Sequence, residues 1–126
     1  MNSERRLLIV DDEMYIRQSF TDFFEDQEWN VTAVDSGEAG LELLETQAFD
    51  AAVVDIRMGG MDGESFIRAA APKYPGMRFL ICTGSPEYMP SDEIIKLPSV
   101  AEQVFAKPVT DLAQLETALL KLLGQE

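Results

Sequence analysis

Histidine is missing from this chain altogether. Any chemistry that needs an imidazole base, a phosphohistidine or a histidine-ligated metal must therefore take that ring from a partner. Cysteine is nearly missing: the single Cys82 has no intramolecular disulfide partner. Its place inside an apolar run marks it as a buried, inert thiol, and the composition favours a reducing, cytoplasmic setting. Long apolar stretches are lacking too. The first six residues lead into only four apolar ones before Asp11, far short of a signal-peptide core or the ~20 residues of a membrane span. Neither export nor membrane insertion is expected. Positive charge is scarce, with Lys+Arg 10 against Asp+Glu 23 and a formal net charge of -13. That balance disfavours attraction to nucleic acid or anionic lipid, so direct nucleic-acid binding is not expected.

What is present is a regular alternation. Strand-like and helix-like patterns succeed one another about five times across the 126 residues, with no repeat, low-complexity tract or long linker. One α/β domain covering 1–126 with a parallel sheet follows, large enough to hide roughly two thirds of the unfolded chain's surface. Strands are predicted near 6–10, 30–34, 51–55, 78–82 and 102–106. Ile16, Phe20, Phe23, Phe24 and Gln27 fall at helical spacing, with Phe20 and Phe24 as core. A second helix follows Ser36, its cap, and turns Leu41 and Leu44 inward. A third follows Asp62-Gly63, carries Phe66, Ile67 and Ala70, and stops by Pro72 or Pro75-Gly76. The last begins at a Thr110 cap and carries Leu112, Leu115, Leu119, Leu122 and Leu123 up to Gly124. Between the fourth and fifth strands, Pro86, Pro90 and Pro98 confine any helix to about 91–97, making the fourth helix short or irregular.

The strands end informatively. Leu7-Leu8-Ile9-Val10 runs into Asp11-Asp12, Ala51-Ala52-Val53-Val54 into Asp55, and Val104-Phe105-Ala106 into Lys107-Pro108, while Arg78-Phe79-Leu80-Ile81-Cys82 ends on Thr83-Gly84. In an open parallel sheet, ligands bind just beyond the carboxyl ends of the strands, so these side chains would share one rim. Taken singly, each has a plainer meaning: Asp-Asp before a helix is a cap, Thr-Gly a turn, Lys-Pro a loop, and Met58 and Met61 packing residues. Their appearance together at successive strand ends is what carries the argument.

Two carboxylates about 5 Å apart repel by roughly 3 kcal/mol at an effective dielectric near 20, so three need compensation. Mg²⁺ fits, since it takes one or two carboxylates plus water and phosphate oxygens. With Mg²⁺ on Asp12, Asp55 is placed as a nucleophile toward phosphorus, giving an aspartyl phosphate. Thr83 and the Gly84 N–H would bond the phosphoryl group and Lys107 would balance its charge. The glycine-rich Met58-Gly59-Gly60-Met61-Asp62-Gly63 loop permits close approach.

On Leu8-Ile9-Val10-Asp11-Asp12-Glu13, Val53-Val54-Asp55-Ile56-Arg57-Met58 with Gly60-Met61-Asp62-Gly63, Cys82-Thr83-Gly84 and Lys107-Pro108, the chain resembles the receiver domain of two-component response regulators over nearly its whole length. The resemblance implies a flavodoxin-like fold, a three-layer doubly wound sheet of five parallel strands in the order 2-1-3-4-5. It implies Asp55 as phosphoacceptor, Asp12 as a direct Mg²⁺ ligand, Asp11 as a ligand through water, and the Arg57 carbonyl completing the protein's share of the shell. Thr83 and Lys107 would sense the phosphoryl group, and the Lys107-Pro108 peptide would be cis. The donor would be a phosphohistidine on a sensor histidine kinase or histidine phosphotransfer protein, and a downstream protein or output domain would read the result. The domain would catalyse its own phosphotransfer and slow autodephosphorylation.

Some positions depart from the family. Its switch set maps to Thr83, Val104 and Phe105, but the ring usually found three residues before the lysine is here Val104, with Phe105 one later. Gly59 stands where proline is common. Two other readings compete. A pseudo-receiver that docks a partner without phosphorylation is opposed by the intact Asp12, Asp55, Thr83 and Lys107. A phosphatase working through an aspartyl phosphate usually has a second acid two residues after the nucleophile, where this chain has Arg57.

Overall fold

The structure, a computed structural model, describes residues 5–125. Five strands, β1 (Arg6–Val10), β2 (Asn30–Val34), β3 (Ala51–Val54), β4 (Arg78–Thr83) and β5 (Phe105–Ala106), form one parallel sheet in the order β2-β1-β3-β4-β5. Five helices separate and follow them: α1 (Met14–Asp26), α2 (Gly37–Leu44), α3 (Gly63–Lys73), α4 (Asp92–Ile95) and α5 (Leu112–Leu122).

Alternation along the strands divides the core in two. Leu8, Val10, Ala52, Val54, Phe79 and Ile81 face α2, α3 and α4 through Leu44, Phe66, Ile67, Ala70 and Ile94. Leu7, Ile9, Ala51, Val53, Leu80 and Cys82 face α1 and α5 through Phe20, Phe24, Leu115 and Leu119. Strands buried on both faces need apolar residues at every position, which is why these runs are continuous. Cys82 is 1% exposed, and burial pushes its thiol up to about 12, as an inert core cysteine requires. At the amino-terminal end of β2, buried Trp29 stacks edge-on against Phe24, and its Nε1 donates to Glu116 Oε2 at 2.8 Å, joining α5 to the α1–β2 turn. Among the described residues no helix is long and apolar enough to cross a membrane.

The helix starts follow the side chains available. Ser36 caps α2 by accepting from the Ala39 N–H, Asp62 caps α3 from Ser65, and Ser91 caps α4 from Ile94. α5 departs from expectation: its cap is Asp111, accepting from the Ala113 N–H at 3.1 Å, with Thr110 one residue too early. α3 passes through Pro72 and ends at Lys73. Pro72 falls in the last turn, and the Tyr74 N–H still closes that turn on Ala70 O. α4 is shorter than the predicted 91–97. The predicted 102–106 strand contracts to 105–106. The chain pairs with β4 once at Val100, then Glu102 and Gln103 turn to solvent before the ladder resumes. The Lys107-Pro108 bond is cis, as the resemblance implies.

Candidate functional site

Register brings the acids together. Val10 and Val54 are partners at the ends of adjacent strands, so Asp11 and Asp55 both lie one residue beyond the sheet. The Asp55 N–H donates to Val10 O at 2.9 Å and the Asp11 N–H to Val34 O at 3.2 Å, which fixes both backbones. On the other side of β3, Thr83 pairs with Ala106, and the Lys107 N–H donates to Thr83 O at 2.9 Å. Four neighbouring strand ends thus deliver Asp11, Asp55, Thr83 and Lys107 to one rim.

Asp11, Asp55 and Thr83 are the buried polar residues there, at 3%, 3% and 4% exposure, whereas Asp12 is exposed. The Lys107 ammonium lies 2.6 Å from Glu13 Oε1, 3.1 Å from Asp11 Oδ2 and 3.5 Å from Asp55 Oδ2. Burial works against its charge, but hydrogen bonds to Glu13 and Asp11 outweigh it and raise the lysine above its ordinary value. Burial, reinforced by the charge of Asp11, pushes Asp55 up to about 6. Burial also raises Asp11, although the Glu13 N–H and Lys107 bond its carboxylate. One lysine therefore leaves the cluster short of positive charge.

That shortfall suits a cation. Oxygens of Asp11, Asp12 and Asp55 come within 4.8 Å of one another, a group able to hold a metal ion. An all-carboxylate donor set matches a hard divalent cation such as Mg²⁺. Above them opens a cleft of about 400 Å³ lined by Asp12, Glu13, Asp55, Arg57, Gly84, Ser85, Pro86, Glu87 and Lys107. Thr83 Oγ1 accepts from the Ser85 N–H at 3.1 Å, which folds the chain after β4 over the cleft's edge. Gly84 lines the cleft, and a Cβ there would meet Lys107 only at ordinary contact distance, so the fold leaves room for a small side chain at this position.

The loop after Asp55 is held from below. The Gly63 N–H donates to Ile56 O at 3.0 Å, and a Cβ at Gly63 would fall 2.2 Å from Asp55 O, so only glycine lets α3 start this close to the site. Gly60 takes a positive φ of 73°, and the next N–H, of Met61, donates to Glu38 Oε2 on α2. Met58 and Met61 pack against the core, as their plain reading holds.

Asp11, Asp12, Asp55, Arg57, Thr83, Gly84 and Lys107 thus meet at one rim. Val104 and Phe105 do not join them. Val104 packs on the α2–α4 side and Phe105 on the α1–α5 side, opposite Cys82, so Phe105 points to the wrong face to replace a ring at 104. Two features had no assigned role in the sequence. Glu13 was visible only as a third acid after Asp11-Asp12, and its bond to Lys107 spans 94 positions. The other is Glu64 on α3, which accepts from Tyr88 Oη at 2.7 Å and the Ser91 N–H at 3.0 Å and pairs with Arg68 at 3.3 Å. It carries no periodic or local signature.

Known proteins are similar to this chain in sequence and fold. The sequence profile of the response regulator receiver domain matches residues 7–120. The response regulator protein FleR of Pseudomonas aeruginosa is 29% identical over 95% of this chain, and the aligned part is 25% of FleR. The transcriptional regulatory protein FixJ of Bradyrhizobium diazoefficiens is 27% identical over 94% of the chain and 58% of its own length. The chain therefore spans well under two thirds of these relatives. A CheY-like response regulator receiver domain protein from Methanospirillum hungatei has a crystal structure with TM-score 0.81 and 30% identity, covering 98% of this chain and 97% of that one. The response regulator TrrA of Thermotoga maritima, crystallised in complex with Mg(2+)-BeF, shares the fold with TM-score 0.81 and 20% identity over 94% of this chain and 98% of its own.

Proposed function

We infer that this chain, which belongs to the family of response regulator receiver domains, is a single phosphoaccepting switch of a two-component or phosphorelay pathway working in the cytoplasm. The observation that carries this reading is the placement of Asp55: 3% exposed, within 4.8 Å of the oxygens of Asp11 and Asp12, and 3.5 Å from the Lys107 ammonium. A lone carboxylate so placed would be costly. One that receives a phosphoryl group beside a cation and a lysine is matched to its surroundings.

Asp55 attacks the phosphorus of a phosphohistidine supplied by a sensor histidine kinase or histidine phosphotransfer protein. The N–P bond breaks as the O–P bond forms, its electron pair staying on the ring nitrogen, and the imidazole, protonated on its other nitrogen before transfer, leaves neutral. Asp11, Asp12 and Asp55, with the Arg57 carbonyl, would hold Mg²⁺. Bound there, Mg²⁺ supplies charge neutralisation to the phosphoryl oxygens. Lys107 shifts from Glu13 toward the new phosphoryl group, whose oxygens also take the Thr83 hydroxyl and the Gly84 N–H. The acyl phosphate is later hydrolysed slowly in the same cleft. A downstream protein or output domain reads the modified state.

The test is labelling by a small acyl-phosphate donor with Mg²⁺, read by intact mass. The expected result is one added phosphoryl group on wild type and none on Asp55→Ala, with unchanged circular dichroism. Labelling of Asp55→Ala at another residue would remove Asp55 from its role, and an unlabelled wild type would favour phosphorylation-independent docking.

A further inference from the structure

We propose that Tyr88 is the positioning residue that couples the phosphoryl site to the α3–α4 face, along a hydrogen-bonded path from Thr83 through Ser85 and Tyr88 to Glu64. The proposal rests on the phosphoacceptor reading of Asp55. Each link is in place. Thr83 Oγ1 accepts from the Ser85 N–H at 3.1 Å, Ser85 O accepts from the Tyr88 N–H at 3.2 Å, and Tyr88 Oη donates to Glu64 Oε2 at 2.7 Å. Glu64 also takes the Ser91 N–H at 3.0 Å and Arg68 at 3.3 Å, and Arg68 Nε lies 3.7 Å from Glu93 on α4. The chain between β4 and α4 is therefore pinned at one end to the site and at the other to α3.

This path suits the chain's own constraints. Val104 has no polar tip with which to report on Thr83, and Phe105 faces the α1–α5 side. Tyr88, by contrast, packs its ring against the same core layer as Val104 and carries its hydroxyl to a carboxylate. Burial opposes the charge of Glu64, but the bonds from Tyr88 and Ser91 and the charge of Arg68 keep it below the ordinary glutamate range, so it stays a full acceptor. When the Thr83 hydroxyl turns to a phosphoryl oxygen, the Ser85 N–H follows Oγ1, and the Ser85–Tyr88 turn moves as a unit. Tyr88 then leaves Glu64, whose remaining partners are the Ser91 N–H and Arg68, and the Arg68–Glu93 pair that ties α3 to α4 readjusts with it, on a face where Met89 and Ile95 are exposed.

The experiment uses the full isotope-labelled chain as wild type, Tyr88→Phe and Glu64→Gln, each titrated with Mg²⁺ and beryllofluoride and followed by amide chemical shifts. Two sets of amides are compared: Asp55, Thr83 and Gly84 at the site, and Arg68, Glu93 and Ile95 on the α3–α4 face. In wild type both sets shift. In Tyr88→Phe, which keeps the ring and packing, the site set shifts as in wild type while the remote set falls by about half or more. Glu64→Gln, altering the other partner, gives the same split. Remote shifts of wild-type size in Tyr88→Phe would overturn the coupling while leaving the site's reading intact. Absence of site shifts in wild type would instead overturn the phosphoacceptor reading, and the coupling with it.

Discussion

Asp55 carries a burial cost. Its carboxyl is raised to about 6, first by burial and then by the charge of Asp11. A carboxyl whose folded value lies above its unfolded one binds its proton more tightly in the folded state. Stability is therefore greatest below the unfolded value and is lost as pH rises through the folded value. In chelator-containing buffer, unfolding free energy should fall between about pH 4 and 6 by on the order of 3 kcal/mol from this group. Asp55→Asn should remove most of that slope and be the more stable protein at neutral pH, as urea midpoints across the range would show. A slope unchanged by the substitution would mean that burial of Asp55 is not what strains the cluster. The identities of Asp11, Asp12, Asp55, Thr83, Gly84 and Lys107 were legible in the sequence because strand ends are local: an apolar run stops and a polar residue follows. Glu13 and Tyr88 were not legible as partners, because a hydrogen bond made by a long side chain depends on where another element lies. The bonds in question cross 94 positions for Lys107 and 24 for Tyr88.

At the scale of elements, the start of α3 is the most constrained point. Gly63 lies where a Cβ would fall 2.2 Å from Asp55 O and 2.9 Å from its carbonyl carbon, both backbone atoms that cannot swing aside. Gly63→Ala should therefore cost about 2 kcal/mol or more, as overpacking does. It should also displace the Asp55 backbone, lowering the labelling rate of the folded fraction; alanine with wild-type stability would show that the loop has slack the structure does not record. Strand and helix positions were readable from periodicity, and the differences lie at boundaries. The cap of α5 fell on Asp111 because either neighbouring side chain suits a helix start and tertiary placement chose between them. The last strand proved shorter because Glu102 and Gln103 interrupt an apolar run that reads as continuous only from Val104 onward.

For the whole molecule, charge sets the behaviour. A net -13 with three acids converging on one rim means that the folded state carries self-repulsion which a cation bound there relieves. Because a ligand that binds only the folded state stabilises it, millimolar Mg²⁺ should raise Tm. Asp12→Ala should abolish most of that rise while leaving the metal-free Tm near or above that of wild type. An equal rise in both proteins would point to general screening of surface charge. The strand order, implied by resemblance and borne out by the sheet, is the part of the fold that periodicity alone leaves open, since any parallel order satisfies the same apolar runs.

The chain's one tryptophan lies at the foot of the sheet, where Trp29 is clasped by Phe24 and Glu116. The rim is a strand's length away, about 17 Å. Its fluorescence should hardly change when the cleft fills, and should change strongly when α5 leaves the sheet. The protein thus contains a native optical probe of unfolding that is insensitive to occupancy, and ligand-induced shifts in its melting curve report stability free of interference from the bound group.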